Sequence, residues 1–121
     1  MPRFVLLEHR WDGLHWDFML EHGEVLRTWA IDAPVVADAD LPARALPEHR
    51  RIYLEYEGEI SGNRGTVHRV AEGSYTAEIW EEDRVRVRLQ GPQLVGELEI
   101  RQVVPAADGE LTWVFRMGNV D

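Results

Sequence analysis

The chain has 121 residues, 45% of them hydrophobic, with 13 Lys and Arg against 22 Asp and Glu, for a formal net charge of −9. That length holds one core of ordinary size, and the acidic balance excludes a protein that coats nucleic acid through many Lys and Arg contacts, though not an enzyme that handles a single phosphate. The absence of cysteine excludes disulfides, thiolate zinc sites and cysteine nucleophiles, so any metal site must use His, Asp or Glu, which favours Mn, Zn, Fe or Mg.

No run of residues is apolar for long enough to cross a membrane, and Met1-Pro2-Arg3-Phe4 does not open a signal peptide; a cytoplasmic setting without a membrane partner is expected. The first element is a hairpin. Residues 4–10 alternate Phe4, Leu6 and Glu8 against Val5, Leu7 and His9, and residues 14–20 alternate Leu14, Trp16, Phe18 and Leu20 against His15, Asp17 and Met19. Trp11-Asp12-Gly13 joins them, and a loop of this length ending in Gly suits a hairpin because its last position needs a left-handed backbone. It predicts Arg10 opposite Leu14, His9 opposite His15, Leu7 opposite Asp17 and Leu6 opposite Phe18, with His9, His15 and Asp17 on one face. A shorter Asp12-Gly13 turn would slip the register and part His9 from His15; the longer loop is preferred because it sorts both strands into an apolar and a polar face. A base and a carboxylate on that second face make it a candidate site.

Residues 24–31 form a third strand, entered through His22-Gly23 and ended by Ala33-Pro34. Residues 32–48, rich in Ala, Asp and Pro, show no alternation and read as one long surface loop with at most a short helical turn near 40–45. A strand over 53–57 follows, then Gly58 and a tight turn at Ser61-Gly62-Asn63-Arg64-Gly65. Further strands are predicted over 66–70, 74–81, 84–89, 93–103 and 111–117, separated by turn residues at 72–73, 82–83, 91–92 and 106–109. Short strands at this spacing with no helical period mean an all-β fold, a small closed or partly open β-barrel of about eight strands. No repeat, low-complexity run or boundary interrupts residues 1–121, so a single domain is expected.

All 13 of the basic Lys and Arg positions are Arg, the side chain suited to bidentate phosphate contacts, and they gather at Arg44, Arg50, Arg51, Arg64 and Arg69, then at Arg84, Arg86 and Arg88. The second group reads best as a solvated strand face balanced by Glu78, Glu81 and Glu82. Trp16, Trp29, Trp80 and Trp113 are core candidates, while Trp11, at the hairpin tip, is placed to stack on a base; His22 and His68 read as surface residues.

Glu8-His9, Leu14-His15-Trp16-Asp17-Phe18-Met19-Leu20-Glu21 and Gly23-Glu24-Val25-Leu26-Arg27-Thr28-Trp29-Ala30 together resemble the opening of the 3′-phosphoesterase domain of bacterial DNA ligase D. The likeness continues through His49 and Tyr53, Tyr56-Glu57-Gly58-Glu59-Ile60 and Gly73-Ser74-Tyr75, and ends on Trp113-Val114-Phe115-Arg116. It implies a compact β-barrel that depends on Mn, or another borderline cation such as Zn, and trims nucleic-acid 3′ ends in repair by removing a terminal ribonucleotide and then a 3′-phosphate. It implies His9, Asp17 and His49 as metal ligands, His15 as the catalytic histidine and Tyr53 as a support for the phosphate. In ligase D the domain is fused to a polymerase and a ligase, which implies a separate ligase or polymerase as partner here.

This sequence departs from the family pattern at one position above all. Met19 stands where the family has Arg, removing a cation from the phosphate; Arg64 in the shortened 60–65 turn and, less closely, Arg44 are the candidate phosphate-binding replacements. Two main classes follow: a metal-dependent 3′-phosphoesterase acting on a nucleic-acid end or a smaller phosphate ester, or a catalytically weakened relative that binds such an end or a partner. A metal-free barrel is the third.

Overall fold

The computed structural model describes residues 1–103 and 112–118. Among the described residues there are nine strands, β1 (Arg3–Arg10), β2 (Leu14–His22), β3 (Val25–Ile31), β4 (Asp40–Arg50), β5 (Gly58–Glu59), β6 (Thr66–Trp80), β7 (Arg84–Gln90), β8 (Val95–Val103) and β9 (Thr112–Met117), with a 3₁₀ turn at Arg51–Leu54. Strand order runs β1-β2-β3-β4-β9-β8-β7-β6, and β1 also pairs with β6, so eight antiparallel strands close into a barrel while β5 adds to the free edge of β6. Among the described residues no helix is long and apolar enough to cross a membrane. The expected turn at 106–109 and the first residue of the last expected strand, Leu111, lie outside the described residues.

The first hairpin has the expected register, with His9 opposite His15 and Leu7 opposite Asp17. Its loop uses left-handed backbone at both Asp12 (φ 52°) and Gly13 (φ 112°), the second of which only Gly adopts without strain. Phe4, Leu6, Phe18 and Leu20 point into the barrel, where they meet Trp29, Ile31, Val85, Leu98 and Phe115 in the main core. The other face of the hairpin is also buried at its far end. Val5, Leu7 and Met19 join Leu26, Leu54 and Val67 in a second, smaller core on the outside of the barrel. A sheet face normally left to water is thus covered by the chain segment that follows β4, and the polar residues continue that face beyond the apolar cover.

Three expectations are corrected. Residues 32–48 are not one loop: the loop covers 32–39, and Asp40–Arg50 is a strand paired with β3 and β9. Its two prolines hid it. Pro42 sits where the strand pairs with β9 but not yet with β3, and Pro47 falls in the bulge where the register to β3 shifts, so neither breaks a two-sided ladder. Residues 53–57 are not a strand, because Leu54 turns down into the second core and the chain crosses the barrel wall as a 3₁₀ turn. Residues 66–70 and 74–81 are one continuous strand, β6, that runs past Gly73. A Cβ at Gly73 would lie 2.3 Å from the Gln90 carbonyl oxygen and 2.8 Å from the Phe4 ring, so this glycine marks close packing inside a strand rather than a turn.

The arginine row is balanced across the sheet more than along it. Arg84 pairs with Glu99, Arg86 with Glu78 and Arg88 with Glu97. The register of β7 against β8 puts Arg86 opposite Glu99 and Arg88 opposite Glu97, so this face is a solvated ion-pair ladder. Trp29 and Trp113 are buried in the main core, and Trp16 and Trp80 pack against it.

Candidate metal centre

Strands β1 and β2 place three donors side by side on the outer barrel face. His9 Nδ1 is 3.1 Å from His15 Nε2 and 3.1 Å from Asp17 Oδ2, and His15 Nε2 is 3.1 Å from Asp17 Oδ1. The cross-strand pairing supplies His9 and His15, and the period of two along β2 supplies Asp17. His9 and Asp17 are buried and His15 is half-buried. Among the described residues these are the three whose ligand atoms all lie within 4.8 Å of one another.

The donor chemistry fits a cation. His9 Nε2 lies 3.0 Å from the Arg64 carbonyl oxygen, which can only accept, so Nε2 carries the hydrogen and Nδ1 turns toward the carboxylate. Two acceptors facing each other at 3.1 Å require positive charge between them, which a second proton or a divalent ion supplies. Asp17 Oδ1 is buried without a hydrogen-bond partner among the described residues, because its contact with His15 lacks hydrogen-bond alignment. Such an oxygen is expensive to leave unmet unless something else fills its lone pairs. Ligands held about 2.0–2.2 Å from one ion stand about 3.0–3.5 Å apart, and all three separations fall in that range. The carbonyl at Arg64 is also the kind of outer partner that orients a ligating imidazole.

A cleft of about 470 Å³ opens over this centre. His49, Tyr53, Arg44 and Arg64 all line it, together with Met19 and Trp11. His49 stands outside the close trio; its Nδ1 is 2.7 Å from the Pro47 carbonyl oxygen and its ring lies edge-on to Tyr53, centroids 5.8 Å apart. Arg44 reaches Asp32 at 3.2 Å, an exposed pair that a phosphate can compete for. Arg64 Nε donates to the Ser61 carbonyl at 2.8 Å. Met19, where the resemblance implies an Arg, is 1% exposed in the second core, so this position is apolar packing. The centre therefore lies on the barrel's outer wall rather than in its mouth.

The backbone carbonyl of Arg64 was not foreseeable from residue types. The only local signal is the glycine after it: a Cβ at Gly65 would lie 1.8 Å from the Arg10 carbonyl oxygen, so the 60–65 turn lies directly against the end of β1. Main-chain bonds from Ile60 N–H to the Gly65 carbonyl and from Arg64 N–H to the Ile60 carbonyl close that turn.

Barrel, buried carboxylate and paired imidazoles define a β-barrel protein with a His/Asp centre able to hold a divalent cation. The chain belongs to the DNA Ligase D 3′-phosphoesterase domain family, whose model matches residues 7–102, most of the chain. No curated protein matches it.

Proposed function

We propose that this chain is a divalent-metal-dependent 3′-phosphoesterase acting on nucleic-acid 3′ ends in repair, with Mn or Zn as its ion. The observation that carries the reading is buried Asp17, its Oδ1 unpartnered among the described residues, set between two imidazoles at 3.1 Å. His9 and Asp17 would hold the ion, with His49, which lines the same cleft, as third ligand. When bound, the ion supplies a Lewis acid for a phosphoryl oxygen and for the attacking water. His15 delivers a proton to the leaving alkoxide from Nε2, which lies 3.1 Å from His9 Nδ1. Arg64 and Arg44 bind the phosphate oxygens and Tyr53 supports them from the cleft wall. A separate ligase or polymerase would use the trimmed end.

The geometry favours a variant of this assignment, in which His15 is the third ligand and His49 acts on the phosphoester, because His15 Nε2 lies 3.1 Å from both His9 and Asp17. Titration of Mn into His15→Ala and His49→Ala separates the two: the ligand's loss weakens binding by an order of magnitude or more, and the other's loss spares binding while lowering turnover. The function itself is tested on a 3′-phosphorylated primer-template with Mn, beside Asp17→Ala. Turnover absent from the variant supports the enzyme. Mn binding without turnover supports the second class, a weakened relative that binds ends, which buried Met19 favours.

A further inference from the structure

We propose that Trp11 is a stacking platform for the nucleobase of the substrate's terminal nucleotide. This rests on the nucleic-acid reading above and adds a contact that neither the ligand set nor the arginines provide. Trp11 is 49% exposed, although Trp29 and Trp113 are buried and Trp16 and Trp80 pack against the core. Its exposure does not come from looseness. The Trp11 N–H donates to the Gly13 carbonyl at 3.0 Å, closing the hairpin loop beneath it. From the other side the 60–65 turn approaches so closely that a Cβ on Gly65 would lie 2.7 Å from the Trp11 Cβ. The indole is then laid nearly parallel to His9, with centroids 6.1 Å apart and planes 21° from each other.

A fixed aromatic surface therefore lines the cleft beside a metal ligand, with much of its area open to solvent. Its occupant follows from charge. A chain at −9 gains little from counterion release along a phosphate backbone, so an end must be held through uncharged contacts as well as through the few cleft arginines. Stacking is such a contact, and it accepts any base because every base has a π-face. The stacking contribution is then confined to the terminal nucleotide, grows with stacking strength from pyrimidine to purine, and is almost insensitive to salt.

The test measures equilibrium binding of a short 3′-phosphorylated strand to the full chain without added metal, beside the same strand ending in an abasic sugar. The base-bearing end is expected to bind roughly 5- to 150-fold more tightly, the range that one stacked base provides. In Trp11→Ala that ratio falls to about twofold or less, while Trp11→Phe keeps most of it. The ratio stays constant between about 0.05 and 0.3 M salt, because it carries no counterion term. A wild-type ratio near one, or a ratio unchanged in Trp11→Ala, overturns the platform. So does loss in Trp11→Ala of the rise in melting temperature that Mn gives the wild type, since the indole would then act through His9. Wild-type turnover of both ends at one rate sinks the platform and leaves the phosphoesterase standing; neither binding nor turnover sinks both.

Discussion

Replacing Gly65 by Ala tests how the 60–65 turn governs the metal centre. Gly65 has φ +79°, and a Cβ there would stand 1.8 Å from the Arg10 carbonyl oxygen and 2.8 Å from its carbon, both backbone atoms with no flexible end to swing away. Ordinary contact begins near 3.4 Å, so the turn must withdraw by more than an ångström. The Arg64 carbonyl moves with it, and its 3.0 Å bond to His9 Nε2 passes beyond hydrogen-bond reach. Leaving a buried donor unmet costs about 1–3 kcal/mol, and a non-Gly residue held in left-handed backbone adds about 1 kcal/mol. The sum is about 2–4 kcal/mol, or a fall in melting temperature of roughly 6–20 °C for a chain of this size. Gly62→Ala in the same turn is the control: φ is +77°, but the Cβ meets only the Arg64 Nε at 3.6 Å, so the backbone term of about 1 kcal/mol stands alone. Loss of the carbonyl that orients His9 should also weaken Mn binding 10- to 100-fold, about the usual range for an outer partner, in Gly65→Ala and not in Gly62→Ala. Thermal unfolding and calorimetric titration with Mn read both effects. Equal melting temperatures and equal Mn affinities in the two variants would refute the reasoning.

Asp17→Asn should abolish the melting-temperature rise that wild type shows in excess Mn, about 2.7 kcal/mol of added stability at a hundredfold excess over the dissociation constant; a rise that survives places the ion elsewhere. Leu54→Ala removes the buried side chain that fastens the 3₁₀ turn onto Val5, Leu7 and Met19, and should cost about 2–4 kcal/mol by urea unfolding. Burial, reinforced by Glu21 and opposed by Arg27, pushes the Tyr75 phenol up to about 12, and its hydroxyl donates to the Glu21 carbonyl at 2.6 Å. The fold thus favours the neutral phenol. Its contribution is complete below the ordinary value near 10 and is lost as pH rises toward about 12. Urea unfolding across that window should show stability falling with pH in wild type and a shallower fall in Tyr75→Phe; parallel slopes would contradict the assignment.

The first hairpin was legible because its loop length and two-residue alternation agree on one register, and a slip would have put Leu6 on the same face as Asp17 and parted His9 from His15. The same register brings His9, His15 and Asp17 onto one face. β4 was not legible, since Pro42 and Pro47 erase the alternation of a strand whose pairing gaps tolerate them. Nor was the second core. Val5, Leu7 and Met19 read as the other face of a half-solvated hairpin until Leu54, far along the chain, covers them. The position of His49 depends on that same crossing segment and on the bulge at Pro47, both of them tertiary facts, which is why the hairpin pattern brings His9 to Asp17 but says nothing of where His49 lies.

The location of the centre on the outside of the wall separates what the protein does from what keeps it folded. The main core is built by side chains pointing inward from the strands, while His9, His15 and Asp17 hang on the reverse of β1 and β2, so exchanges within that trio leave the interior untouched. A lineage with this layout can retire or retune its chemistry while still producing a sound barrel. Lateral access matters as well: under the proposed function, the terminus of a long duplex could be brought up against the flank without being threaded through a channel.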